Sequence, residues 1–352
     1  MREITYREAI SEALVQAMEK DERVFIMGIG VDDPKGIFGT TLDAYRKFGG
    51  KRVFDTPLSE NALTGIGLGS AISGMRPVMV HARVDFLLLA MDQIINHAAK
   101  WQYMFGSQMK VPLTIRAIIG RGWGQAAQHS QSLQALFAHI PGLKVVMPSS
   151  PYDVKGLLMA SIEDEAPVIF IEHRWLYEQK GDVPEHPYTL PIGGSTVVRS
   201  GKDITIVAIS QMVLEAKKAA DLLEVEGISA EVIDLPTLRP LEDEILLKSV
   251  EKTGRLLIAD TGWKSCGVSA EIAARVVEGG FECLKAPIRR IALPDCPTPC
   301  SPALEKLYYP GSAEIVSEAR KLVSEKIDRS KAWAESSQNV PPSDKLVFQG
   351  PF

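Results

Sequence analysis

Short apolar runs alternate with longer amphipathic stretches along most of the chain, and that alternation predicts strands and helices in turn. Residues 4–20 set apolar positions at helical spacing among Ala and Glu and predict a first helix. Val24–Gly28 is a continuous apolar run closed by glycine and predicts a buried strand. Ser59 stands where a helix cap belongs, ahead of a helix running from Glu60 toward Gly74. Arg76-Pro77 ends that helix, and Val78–Val80 predicts the next strand. A helix over 90–104, a strand at Leu113–Arg116 and a glycine-rich loop at Gly120–Gly124 follow. Val145–Met147 and Val168–Ile171 predict strands on either side of a helix at 151–163. This order predicts an α/β domain built on a mostly parallel sheet.

Periodicity fades between 178 and 200, where Pro184, Pro187, Pro191 and Gly193-Gly194 gather, and a linker is expected there. A second α/β pattern then begins at Ile204–Ala208. It continues through a helix at 211–226, a strand at Ala230–Ile233 and a helix at 241–252. A strand at Leu256–Ala259, a helix at 268–279 and a helix from 312 to about 334 complete it. The expected organisation is a first domain at 1–178, a linker at 179–203, a second domain at 204–335 and a polar tail at 336–352. Both domains are expected to be doubly wound, and 352 residues suit two cores better than one.

Composition narrows the function classes. Hydrophobic residues make up 45% and charged residues 24%, as in an ordinary globular protein. A formal net charge of −5 gives no global attraction to nucleic acid or to an anionic membrane. The longest apolar runs, such as Phe86–Met91, are too short to span a bilayer. Cys266, Cys283, Cys296 and Cys300 lack zinc-ligand spacing, and they read as reduced thiols of a soluble, cytoplasmic protein.

Two constellations carry candidate chemistry. Phe54–Glu60 places a carboxylate at a helix start, where the helix dipole favours negative charge; capping alone also explains it. The glycines that follow, Gly65, Gly67 and Gly69, do not form a dinucleotide fingerprint. Gly120–Gly124 leads into Gln128-His129-Ser130-Gln131, a loop whose histidine could exchange protons near neutral pH. An exposed loop histidine is the plainer alternative. Ser130 sits in no nucleophile elbow, so a serine hydrolase is not expected.

Phe54–Glu60, Phe86 ahead of Met91–Ile94, Gly120–Gln131, Ala138–Pro148, Pro151–Leu157, Glu231–Pro240 and Ala286–Arg290 occur in one order. In that order, over roughly residues 1–325, the chain resembles the β subunits of thiamine-diphosphate-dependent 2-oxo acid dehydrogenases (E1 components). The resemblance implies a thiamine-diphosphate pyrimidine-binding domain followed by a transketolase C-terminal-like domain. It implies that Glu60 hydrogen-bonds the pyrimidine N1′ and switches on the cofactor, that Phe86 packs on the pyrimidine ring, and that His129 moves or orients protons during decarboxylation and acyl transfer. It also implies a potassium site made by main-chain carbonyls of Leu113, Thr114, Ser161, Ile162, Asp164 and Ala166. The cofactor itself would carry the hard chemistry, with the protein tuning it.

Thiamine enzymes of this class hold the diphosphate through Mg²⁺ with a Gly-Asp-Gly and a later Asn. Here Gly181-Asp182-Val183 interrupts the motif. The resemblance therefore implies an α subunit that brings those ligands, in an α2β2 assembly acting on pyruvate or a branched-chain 2-oxo acid, with a lipoyl acyltransferase (E2) as a further partner. Several departures bear on this. Ile29 stands where an acid is usual, Arg83 where an aromatic is common, and Pro236 where arginine is frequent. Asp260–Gly267 replaces a His-Glu…Thr-Gly-Gly pattern. They leave open a split transketolase-like or biosynthetic enzyme that passes an acyl or ketol unit to a small molecule without E2. A non-catalytic assembly subunit is a further alternative.

Overall fold

The computed structural model describes residues 1–33, 36–121 and 125–324. In chain order its strands are β1 (Arg2–Thr5), β2 (Val24–Gly28), β3 (Val53–Asp55), β4 (Arg76–His81), β5 (Thr114–Ile119), β6 (Lys144–Val146), β7 (Val168–His173), β8 (Lys180–Val183), β9 (Thr196–Arg199), β10 (Ile204–Ala208), β11 (Ala230–Asp234), β12 (Thr237–Arg239), β13 (Leu256–Trp263) and β14 (Arg289–Leu293). A seven-stranded sheet runs β12-β6-β7-β5-β4-β2-β3, and a five-stranded sheet runs β14-β13-β10-β11-β9. Within the first sheet β2 through β7 pair in parallel. In the second, β10, β11, β13 and β14 do the same. The α/β reading with two wound sheets holds.

Parallel strands covered by helices on both faces must be apolar on both, and the sequence obeys. All six residues of β5 and all six of β7 are buried. The helix Tyr6–Lys20 is fixed at its start by a capping box between Thr5 and Glu8. The helix Pro151–Glu163 has Pro at its first position and the Ser150 hydroxyl accepting from Asp153 N at 3.1 Å. These two helices lie side by side over one face of the first sheet. The helix Glu60–Ile72 lies against β4. A Cβ at Gly67 would fall 2.6 Å from Met79 Sδ, so glycine allows that approach without displacing the buried Met79 side chain.

Four features differ from the sequence expectations. Ser59 holds the cap position of Glu60–Ile72, but its hydroxyl makes no capping bond. The expected helix at 90–104 is a π-helical segment, Asp92–Ala98, joined to an α-helix, Ala99–Met104. β4 begins at Arg76 and includes Pro77, so the helix-ending pair already belongs to the strand. The expected linker is pinned at both ends: β8 pairs antiparallel with β1, and β9 pairs antiparallel with β11. Between them, the fully buried Lys155 donates to Pro184 O at 2.6 Å and pairs with Glu12 at 2.7 Å.

The two sheets also exchange material. β12, from the expected second domain, adds antiparallel to β6 at the edge of the first sheet. Beside it Met147 N donates to Pro236 O at 2.7 Å. Gln134 Nε2 donates to the buried Asp260 at 2.8 Å. Part of the glycine-rich loop, residues 122–124, the end of the last predicted helix beyond 324, and the tail at 336–352 lie outside the described residues.

Candidate active site

In open parallel sheets, ligands sit beyond the carboxyl ends of the strands, where loops diverge. The candidate residues all fall there. Glu60 follows β3, Phe86 follows β4, and the loop with His129 follows β5. Three separate strands thus deliver them to one end of the first sheet.

Glu60 is the first residue of its helix and partly buried. Its carboxylate accepts no hydrogen bond from the described residues. Phe86 lies in the short helix Val84–Leu87. Its ring and the His129 imidazole meet edge-to-face, with centroids 5.2 Å apart and planes at 83°. Phe86 and His129 are therefore in contact, whereas Glu60 makes no hydrogen bond to either. Its helix does pack on Leu88–Ala90 and Asp92–Ala98, the segments immediately after Phe86.

The residues around Phe86 hold the His129 loop, and the sequence reading passed them over. Arg83 Nη1 donates to Gly120 O at 2.7 Å and Nη2 to Gln125 Oε1 at 2.7 Å. The carboxylate Oδ1 of Asp85 accepts from Gln131 N at 3.2 Å and from Gln131 Nε2 at 2.9 Å. The Ser130 hydroxyl donates to Gln125 O. Arg83 and Asp85 thus clamp both ends of the loop while Phe86 touches its histidine. Arg83 was visible in the sequence as a departure; its bonds, spanning about forty residues, were not.

Two further histidines stand at the same strand ends. His81, at the end of β4, lies 3.5 Å from Thr64 Oγ1, and burial lowers its pKa to about 4. His173, at the end of β7, is lowered to about 3 by burial and by Arg83 and Arg174. Both are neutral at physiological pH. A Cβ at Gly120 (φ +85°) would fall 2.7 Å from the His173 ring, which requires glycine there.

The carbonyl set expected for potassium is largely engaged. Arg76 Nη1 donates to Ile162 O and to Asp164 O, both at 3.1 Å. The Thr114 hydroxyl donates to Ser161 O at 2.9 Å, and Val168 N to Leu113 O at 2.9 Å. Ala166 N donates to the Asp164 side chain at 2.9 Å, which closes the same turn. Among the described residues, no group of three or more His, Cys, Asp or Glu side chains gathers to hold a metal ion.

A model of the transketolase pyrimidine-binding domain matches residues 2–180, and one of the transketolase C-terminal domain matches residues 193–315. The β chain of a split-gene transketolase, solved as an inactive β4 tetramer, superposes with a TM-score of 0.73 at 25% identity. It covers 92% of this chain and 99% of its own. The fold is that of the transketolase pyrimidine and C-terminal domains. At the sequence level, the acetoin:2,6-dichlorophenolindophenol oxidoreductase subunit β of Cupriavidus necator is 46% identical over 330 residues, which is 91% of this chain and 97% of that one. The pyruvate dehydrogenase E1 component subunit β of Rhizobium meliloti is 44% identical over 317 residues, or 90% of this chain and 69% of that one. The chain belongs to the family of E1 β subunits of the 2-oxo acid dehydrogenases. That family implies thiamine diphosphate as the cofactor. Among the described residues, no helix is long and apolar enough to cross a membrane.

Proposed function

We propose that this chain is the β half of an α2β2 E1 enzyme that oxidatively decarboxylates a 2-oxo acid, pyruvate or a branched-chain relative. In this reading it passes the acyl group to a lipoyl-bearing E2 in the cytoplasm. The observation that carries the reading is the convergence of Glu60, Phe86 and His129 on one strand-end face, with Phe86 and His129 in contact.

The residues fit the cofactor. Glu60 offers a half-buried carboxylate with unused acceptor capacity, which suits a pyrimidine ring nitrogen that must gain and lose a proton. Phe86 offers an apolar ring to pack on the heterocycle. Thiamine diphosphate, when bound, supplies a nucleophilic carbon that adds to the substrate carbonyl. Glu60 holds the proton at the pyrimidine N1′. His129, fixed by its edge contact and by a loop clamped through Arg83 and Asp85, holds or moves a proton at its imidazole nitrogens. Buried Arg83 and Asp85 keep that loop in one arrangement, so the imidazole is positioned before substrate arrives.

Magnesium prefers phosphate and carboxylate oxygens in octahedral array. We assign its protein ligands to the α subunit. Potassium, on the carbonyls of Leu113, Thr114, Ser161, Ile162, Asp164 and Ala166, would use lone pairs left over from the bonds to Arg76, Thr114 and Val168. It would reinforce a turn that is already closed.

The test is proton exchange at the cofactor's reactive carbon in the enzyme co-expressed with its α partner. Glu60→Gln should slow that exchange by about two orders of magnitude or more, with the cofactor still bound. Unchanged exchange would remove Glu60 from the mechanism. Acylation of a lipoyl domain then distinguishes an E2-linked enzyme from one that uses a small-molecule acceptor.

A further inference from the structure

We propose that Glu305, on the second domain, is a positioning residue for His129: through Arg121 it holds the start of the loop that carries the histidine. The inference deepens the thiamine reading above and rests on it.

Arg121 follows Gly120 at the start of that loop, and its side chain reaches the helix Pro302–Tyr308 of the second domain. Arg121 Nη1 pairs with Glu305 Oε2 at 2.8 Å. Glu305 is 3% exposed, and among the described residues Arg121 is its one ion-pair partner. A carboxylate this far from water carries a large desolvation cost, which a guanidinium at contact distance offsets. Releasing Arg121 would leave that carboxylate buried and alone. The pair therefore ties the loop to the second domain.

Two rings flank the guanidinium. Its carbon lies 5.4 Å from the Trp175 ring centroid and 5.7 Å from that of Tyr309, and the two rings meet edge-to-face at 5.2 Å and 67°. Trp175 follows β7 in the first domain, and Tyr309 stands at the end of the helix that carries Glu305. Attraction between cation and ring adds to the ion pair, and a planar guanidinium suits such a slot better than an ammonium. Trp175 Nε1 also donates to Arg121 O at 3.1 Å, beside the bond from Arg83 to Gly120 O. Side chain and carbonyl of Arg121 are both engaged.

The far end of the loop meets the same domain. The Ser132 hydroxyl donates to Thr261 Oγ1 at 3.3 Å, and Gln134 Nε2 donates to Asp260 Oδ1 at 2.8 Å. Gly120, Ser130, Thr261 and Tyr309 help to line a cavity of about 20 Å³, room for little more than a water molecule. Loop and domain are thus in near contact there. The second domain backs the loop at both ends, while Arg83, Asp85 and Phe86 hold it from the first. His129 lies between these anchors, and the placement of its imidazole depends on both.

The experiment uses the enzyme assembled with its α partner, thiamine diphosphate and Mg²⁺, with pyruvate or a branched-chain 2-oxo acid and an artificial electron acceptor. Glu305→Gln should lower kcat about tenfold and leave KM for the cofactor within about twofold of the parent. In the His129→Ala background the same substitution should cost no further kcat, because the residue it positions is gone. Losses that multiply in the double variant, or a Glu305→Gln enzyme as fast as the parent, overturn the proposal. If Glu305→Gln does not assemble, Arg121→Gln combined with Glu305→Gln, which buries no lone charge, replaces it in both comparisons. If the parent turns over no 2-oxo acid, the thiamine reading fails on its own account, and trypsin then decides whether Glu305 holds the loop. An Arg121 side chain engaged by Glu305 and the two rings is withheld from the protease. Cleavage after Arg121, followed by fragment mass, should be at least about tenfold faster in Glu305→Gln, with cleavage elsewhere unchanged. Equal rates after Arg121 in parent and variant refute the hold.

Discussion

Phe86 and His129 meet edge-to-face at 5.2 Å and 83°, and the two residues reach that contact from the ends of different strands, β4 and β5. Edge-to-face geometry of this kind contributes about 0.5–1.5 kcal/mol and fixes the orientation of the smaller ring. His129→Ala should lower kcat of the assembled enzyme by about a hundredfold or more, with cofactor affinity little changed. Phe86→Leu should lower it about tenfold, by loosening the imidazole. If Phe86 acts on kcat through His129, the double variant will be no slower than His129→Ala. Fully additive losses would separate the two residues and leave Phe86 to cofactor packing alone.

Arg76 is 11% exposed at its side chain, and it satisfies the oxygens of Ile162 and Asp164 from inside the turn expected to bind potassium. That turn should therefore persist without the ion. Melting temperature in KCl and in NaCl is expected to differ by less than about 2 °C for the parent. Arg76→Met strands two carbonyls at about 1–3 kcal/mol each, and potassium should then recover part of the loss. A parent that loses stability steeply when sodium replaces potassium would show that the ion, and not Arg76, closes the turn.

Much of this fold could be read in the sequence because burial on both faces leaves a plain mark. β2, β10 and the helix Pro151–Glu163 fall where the apolar runs and the Ser150-Pro151 start place them. β1, β8, β9 and β12 escaped notice for a common reason. They are three or four residues long, partly polar, and made stable only by partners far away in the chain, as Arg2 opposite Val183 shows. The π-helical turns at Asp92–Ala98 were equally hidden, since apolar spacing does not report which carbonyl each amide chooses. The family resemblance singled out Glu60, Phe86 and His129, and all three lie at one end of the first sheet. The clamp made by Arg83 and Asp85 depends on where Gly120, Gln125 and Gln131 fold, which no local pattern encodes.

Asp234 gives the sheet-to-sheet contact a pH dependence. It closes β11 at 2% exposure, accepts from the Ser149 hydroxyl, and leaves Oδ1 without a partner. Burial, with Asp153 adding repulsion, raises its pKa from 3.8 to about 8, against smaller opposing effects of the Ser149 hydrogen bond and then Lys217. Burial raises Asp153 as well, so the two act in the same direction. A raised folded-state pKa means that the native chain keeps a proton the unfolded chain has released. Stability from this group is thus fully present below about pH 4 and falls as pH rises toward 8. Asp234→Asn, which mimics the protonated form, should flatten that decline and melt above the parent at pH 8 by a few degrees, on the order of 1–2 kcal/mol. Parallel melting curves for the two proteins from pH 5 to 8 would show that Asp234 is ionised throughout.

The ion pair of Arg116 and Glu172 tests how the first sheet tolerates charge. Both side chains are at most 1% exposed. Arg116 donates from Nε to Glu172 Oε1 at 2.5 Å and from Nη2 to Oε2 at 3.0 Å. The Tyr177 hydroxyl adds a bond to Oε2 at 2.8 Å, and Thr40 Oγ1 accepts from Arg116 at 3.0 Å. Removing one partner leaves the other charge buried and alone, a cost of about 3–5 kcal/mol. Removing both charges costs far less, because the desolvation penalty goes with them. Arg116→Met should therefore unfold the chain or lower its melting temperature sharply. Arg116→Met with Glu172→Gln, which keeps an acceptor for Tyr177, should recover most of that loss. A double variant as unstable as Arg116→Met would mean that Arg116 serves by its shape and its bond to Thr40, and not by neutralising Glu172.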